Sequence, residues 1–175
     1  MLKCFMHNLV YFFILYMFST LRLFAVEPTV AILDNVVSNG VQEFHVGSFS
    51  FVCTPYGVLS VEKLYSNSRL SSKCQENIYN FYQKYPDLRY YTQNSLKVEQ
   101  MYHLEFKNQE CVLYAFGEKT LSELLLENGL AVVKPLFRDD EFNYPFHEAQ
   151  MRAKMNKLGM WKENVVNSCI EEFYK

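Results

Sequence analysis

Several things are missing from this chain of 175 residues, and each absence narrows the reading. No Cys-x-x-Cys occurs and no histidine pair stands near the cysteines, which argues against a thiolate zinc site. No internal repeat or low-complexity tract is present, so the chain reads as one ordinary domain, with enough apolar content to bury a core. Positive charge is also scarce. Lys and Arg number 17 against 19 Asp and Glu, a formal net charge of −2. A protein that tracks phosphates normally carries a basic stripe, so this balance argues against nucleic acid as the partner. Finally, no apolar run reaches the roughly 20 residues of a membrane-spanning helix.

Aromatic residues are abundant, at 17 % of the chain, which suits a strand-rich fold. The first 25 residues form a separate object. Lys3 precedes an uninterrupted apolar run from Leu9 to Phe18, and Ala25 is a small residue before Val26. That layout predicts a secretory signal cleaved after Ala25, with a mature protein beginning at Val26. Its alternative is an uncleaved membrane anchor over residues 9–25, because Leu23 is larger than the usual residue at that site. Cleavage would remove Lys3 and Arg22 and no acid, leaving 15 basic against 19 acidic residues, a net −4. The expected organisation is export signal 1–25, folded domain 26–163 and tail 164–175.

Four cysteines remain after the signal: Cys53, Cys74, Cys111 and Cys169. An even count in an exported chain predicts disulfides, and three pairings are open. Cys53 with Cys74 or with Cys111 is preferred, because the segment after the Thr54-Pro55 turn has to be tied to the expected barrel.

Strands are expected over residues 29–33 and 41–53, with a turn at Ser38-Asn39-Gly40 and a bend or bulge at Gly47. A turn follows at Pro55-Tyr56-Gly57, then a short helix over 60–65. Ser72 and Gln75 read as a capping box for a helix with Cys74, Ile78, Phe81 and Tyr85 on one face, stopped by Pro86. Alternation from Gln100 to Lys107 predicts Tyr102, Leu104 and Phe106 inside, with Met101, His103 and Glu105 outside. Asn108-Gln109 makes the turn of a hairpin. Thr120 and Glu123 form a second capping box, and Gly129 suits the left-handed cap after that helix. A short strand follows at 130–133, then a charged loop from Arg138 to Glu141 that lacks calcium-loop spacing and reads as solvated. The last helix is expected to start at Pro145 and end at Gly159, letting Trp161 fold back onto the core. Arg152, Lys154 and Lys157 complement its C-terminal dipole. The sum is an α+β domain, a small barrel with attached helices.

Two segments, Ser122 to Ala131 and His147 to Lys162, place a short helix, a glycine stop, an apolar strand and a long basic helix closing on Gly159-Met160-Trp161. This order resembles the C-terminal half of the staphylococcal nuclease (thermonuclease) family, and the likeness runs from about Cys111 to Trp161. The resemblance implies an OB-type β-barrel with packed helices. It also implies a site in which two aspartates hold calcium, a glutamate activates water and two arginines grip phosphate. This chain departs from that pattern. Thr54-Pro55 matches the family motif, but Cys53 stands where it needs an aspartate, Tyr56 where it needs the glutamate and Ser48 where it needs the first arginine. Gln109 stands near the second arginine, and Asp34 alone falls at a metal-ligand position.

The expectation is an exported thermonuclease-like protein with a degenerate active site and no cofactor, acting as a binding or structural module of the periplasm. A protein or envelope component is expected as partner rather than nucleic acid, with membrane contact only through an uncleaved N-terminal segment. The alternative is a divergent calcium-dependent nuclease using Asp34 with Glu43 or Glu105, and with Arg69 or Arg89. A thiol role for Cys53 is a third reading. His45 with Glu43, and His103 with Glu105, are further cation-holding pairs, or simply polar residues on a solvated face.

Overall fold

The structure, a computed structural model, describes residues 29–66, 71–163, 169, 170 and 172. The expected export signal, its cleavage point, Arg69 and most of the tail lie outside the described residues. The domain is α+β. Its main sheet has six strands: β1 (Thr29–Ser38), β2 (Val41–Val46), β3 (Phe49–Cys53), β5 (Met101–Lys107), β6 (Glu110–Phe116) and β7 (Lys119–Thr120). Their spatial order is β3-β2-β1-β5-β6-β7, and every ladder in it is antiparallel. A second, two-stranded sheet pairs β4 (Val58–Ser60) with β8 (Ala131–Val133). The expected closed barrel is not formed. β3 and β7 remain the edges of the main sheet, and instead of a ladder an isolated parallel bridge between Pro55 and Cys111 joins the chain beyond β3 to β6.

Four helical pieces lie between β4 and β5: α1 (Val61–Tyr65), α2 (Ser72–Lys84), α3 (Pro86–Arg89) and α4 (Tyr91–Ser95). Two more follow the sheet, α5 (Leu121–Glu127) and α6 (Asn143–Met155), before a 3₁₀ turn at Gly159–Lys162. Among the described residues no helix is long and apolar enough to cross a membrane.

Local rules account for much of this. Thr120 caps α5 in a complete capping box with Glu123. The Asn108-Gln109 hairpin turn has both residues at positive φ, 52° and 66°, which matches the right-handed twist of the flanking strands. Leu121, Leu125 and Leu126 of α5 are fully buried, and truncating one such leucine costs about 2–5 kcal/mol. Gly129 sits at φ 65°, and a Cβ there would come within 2.3 Å of the Leu158 carbonyl oxygen. That close approach seats the 3₁₀ turn and buries Trp161 against the core, as expected.

Other expectations are corrected. Residues 41–53 are not one strand. Gly47, at φ 61°, turns the chain between β2 and β3, so the glycine makes a hairpin rather than a bulge. β1 runs five residues further than expected, with a register shift between Leu33 and Asn35. The cap of α2 is Ser71, one residue earlier, whose hydroxyl accepts from the Cys74 amide. α6 begins at Asn143 with Pro145 inside its first turn, and it ends at Met155, before Gly159. Tyr102 and Leu104 are buried as expected, but Phe106 is 46 % exposed, because β5 outruns the core near the hairpin.

The helical segment is fastened to the β1–β2 turn by Asn39, which is buried. Its amide nitrogen donates to Glu62 Oε1 and to the Leu88 carbonyl, both at 2.9 Å, and its amide oxygen accepts from the Thr92 N–H at 2.9 Å. One side chain thus holds α1, α3 and α4. Two disulfides complete the scaffold, Cys53–Cys111 and Cys74–Cys169, with Cα separations of 5.6 and 5.2 Å. The first is one of the two preferred pairings. The second ties α2 to the C-terminal segment.

Candidate functional site

The stretch from Cys53 to Gly57 leaves β3 and crosses to β6. There the Cys111 amide donates to the Thr54 carbonyl, and the Tyr56 amide donates to the Cys111 carbonyl, both at 2.9 Å. Cys53 and Cys111 are buried beneath this crossing as a disulfide. Cys53 is therefore neither a metal ligand nor a free thiol, and the thiol role is set aside. Thr54 is half-buried and Pro55 buried, so the motif remnant serves the crossing itself.

Tyr56 is buried between Phe137 and Phe142, with ring centroids 5.4 and 5.9 Å away. Its hydroxyl donates to Asp139 Oδ2 at 3.0 Å. Burial first, and the Asp139 carboxylate second, push its pKa up to about 12, so it remains a phenol and a poor base near neutral pH. Asp139 is not solvated, contrary to expectation. Its other oxygen accepts from the amides of Glu141 and Phe142 at 3.0 and 3.1 Å, ahead of α6. Burial raises the Asp139 pKa, but the Phe142 amide, the Tyr56 hydroxyl, the Glu141 amide and Lys107 outweigh it and hold the group below its ordinary value.

Two lysines complete the cluster. Lys107 donates to Glu141 at 3.1 Å, lies 3.5 Å from Asp139 and stands 4.5 Å above the Phe142 ring. Burial opposes its charge, yet the Glu141 hydrogen bond and the nearby carboxylates keep its pKa above the usual lysine value. Lys134 pairs with Glu110, whose second oxygen accepts from the Gly57 amide at 3.2 Å. Each charge facing Tyr56 thus has a partner, and among the described residues no three His, Cys, Asp or Glu side chains converge as a metal site would require.

The remaining sequence-derived positions are scattered. Ser48 lies exposed in the β2–β3 turn, at the far end of β3, about 17 Å along the strand from Cys53. Gln109 is exposed at the tip of the β5–β6 hairpin. Asp34 is not in a turn. It lies within β1 on the exposed face, beside the register shift, 2.5 Å from His45 Nδ1. Glu43 accepts from Asn35 at 3.2 Å, and Glu105 accepts from Tyr114 at 3.0 Å. His103 is exposed on β5 without joining either pair, and Arg89 is exposed at the end of α3. The structure gathers Cys53, Thr54, Pro55, Tyr56 and Cys111, and leaves Asp34 and Ser48 away from them.

Sequence reasoning missed Lys107, Glu110, Lys134 and Asp139. A signal existed for the first two, since Lys107 and Glu110 are register partners that flank the predicted hairpin turn. Arg152 was read as a helix-dipole partner, but it bridges α6 to α5 through Glu127 at 2.8 Å. No family model and no curated protein matches this chain.

Proposed function

We propose that this is an exported, thermonuclease-like protein whose nuclease site is lost, and that it works as a non-catalytic binding or structural module with a protein or envelope component as partner. The observation that carries this reading is the buried Cys53–Cys111 bridge under the Thr54-Pro55 crossing. The resemblance needs a calcium-binding carboxylate at Cys53. A disulfide offers no charge to a hard cation. Beside it, Tyr56 replaces the expected base with a phenol engaged to Asp139. An OB-type arrangement is the finer fold reading. It is supported by the antiparallel β1-β2-β3 and β1-β5-β6 pairings together with the parallel Pro55–Cys111 bridge, which approximate a barrel left open at one seam. Export is supported by two disulfides, which persist in oxidising compartments.

The test is a cleavage assay on purified protein with DNA and RNA in millimolar calcium, magnesium or manganese, with Asp34→Ala as control. Loss of one preorganised electrostatic donor lowers a rate by about 10² to 10³. Here the base, both arginines and one metal ligand of the family pattern are all replaced, so cleavage at buffer background is expected. Robust metal-dependent cleavage that Asp34→Ala abolishes would overturn the reading.

A further inference from the structure

Ten tyrosines lie among the described residues. The hydroxyls of six, Tyr56, Tyr82, Tyr85, Tyr91, Tyr102 and Tyr114, are hydrogen-bonded. Of the other four, Tyr65, Tyr79 and Tyr90 line two adjoining clefts in the helical segment, and each is about half exposed, at 46, 54 and 50 %. Packing explains buried tyrosines. Three half-exposed, unengaged ones around two adjoining clefts are instead what a binding surface needs, since each offers an apolar ring and a polar tip.

The clefts measure about 350 and 180 Å³, and Glu62 and Arg89 line both. The larger lies within the range of roughly 300–1,000 Å³ usual for small-molecule sites. Glu62 is held rigidly, because Oε1 accepts from Asn39 and from the Tyr82 hydroxyl, each at 2.9 Å. Its Oε2 has no hydrogen-bond partner among the described residues but is buried beneath the cleft wall, so Glu62 contributes its fixed negative charge rather than an open acceptor. Arg89 makes no ion pair or hydrogen bond among the described residues. Gln83 and Gln93 add amides to the walls.

This composition selects the ligand's chemistry. One acid and one base line both clefts, so an anion meets Glu62 and a cation meets Arg89, and neither gains much. A neutral ligand bears no such cost. The walls suit a flat molecule with an apolar face for tyrosine rings and an edge of hydroxyls for amide and guanidinium groups. A pyranose ring has that form. We propose that the two adjoining clefts, one lined by Tyr65 and Tyr79 and the other by Tyr90, with Glu62 and Arg89 in the walls of both, together bind a neutral oligosaccharide. The proposal is independent of the reading of the Cys53–Cys111 crossing, which the cleavage assay judges separately.

The experiment titrates the full exported protein, both disulfides intact, with cellotetraose, maltotetraose and chitotetraose by calorimetry, up to about 10 mM of each. At least one should bind. Tyr79→Ala and, separately, Tyr90→Ala should each weaken it about tenfold, with unchanged circular dichroism and melting temperature as the folding control. Raising salt from about 0.05 to about 0.5 M should change affinity by less than about twofold. Absence of binding to all three sugars overturns the proposal. So does binding that neither tyrosine variant weakens. Preference for an anionic probe such as dextran sulfate, lost at high salt and in Arg89→Ala, would mean an anion site and would also overturn it.

Discussion

The crossing at Cys53–Cys111 and the helical segment from Val61 to Ser95 stand on the same sheet and treat polar groups in opposite ways. At the crossing, Lys107, Lys134, Glu110, Asp139 and Tyr56 all engage one another or the backbone. In the helical segment, Asn39 and Tyr82 satisfy one oxygen of Glu62 and leave the other unmet, while Arg89, Tyr65, Tyr79 and Tyr90 make no side-chain hydrogen bond among the described residues. The first arrangement has the character of a closed seam, the second of a surface that awaits contact. Satisfied, partly buried networks rigidify a fold, whereas unengaged polar and aromatic groups are where binding is available.

The sharpest break of this comparison is removal of the seam. Closing a loop across 58 residues stabilises by about 4 kcal/mol in the chain-entropy account. Cys53→Ala with Cys111→Ala should lose that much in urea unfolding, and amide exchange should accelerate at residues 56 and 111. The matching pair Cys74→Ala with Cys169→Ala should cost a similar amount but accelerate exchange in α2 instead. If both pairs loosen the same amides, the two regions are one cooperative unit and the contrast fails.

Asn39→Ala comes next. It strands the Leu88 carbonyl and the Thr92 amide and leaves Glu62 Oε1 with Tyr82 alone, and leaving buried groups unmet costs about 1–3 kcal/mol each before relaxation. A loss of about 3 kcal/mol is expected, with amide exchange rising over residues 86–95 and not in β5 or β6.

Tyr56→Phe should cost about 1 kcal/mol, since it deletes one hydrogen bond to a carboxylate that keeps its backbone donors. The pH dependence sharpens the test. The Asp139 pKa is lowered in the fold, so its stabilisation is fully present above the ordinary aspartate value of about 3.9. It is lost as pH falls below that value through the folded pKa. Acid unfolding of Asp139→Asn should therefore be flatter below about pH 4 than that of the parent. Tyr79→Ala should be the mildest change, within about 0.5 kcal/mol in stability, because the ring is exposed and unengaged. A larger loss would make Tyr79 a structural residue and weaken the case for the cleft.

Much of the fold was legible because the signals are short-range. The Thr120–Glu123 box, the Asn108-Gln109 turn, Gly129 and the alternation through Tyr102 and Leu104 each involve residues within a few positions, where backbone geometry leaves few choices. Gly47 shows the limit of that reading. Positive φ serves a hairpin as well as a bulge, and only the pairing of Val46 with Phe49 decides between them. The site was less legible. Matching the stretch around Thr54-Pro55 to the family motif put Ser48 at the first-arginine position, but the β2–β3 hairpin puts that residue at the far end of its strand.

The sequence by itself determined the Thr120–Glu123 cap of α5, most turns, the inward face of β5 at Tyr102 and Leu104, and the presence of four cysteines after the predicted signal. Those features depend on local sterics and on hydrogen bonds that close within one turn or one hairpin. Tertiary structure alone decided that Cys53 meets Cys111 while Cys74 meets Cys169, that Asp34 faces outward beside His45, and that Asp139 reaches Tyr56 across 83 positions. It also brought Glu62 and Arg89 into the walls of two adjoining tyrosine-lined clefts. Such contacts join residues whose separation along the chain carries no periodic signal, so they exist only once the sheet and its helices have packed.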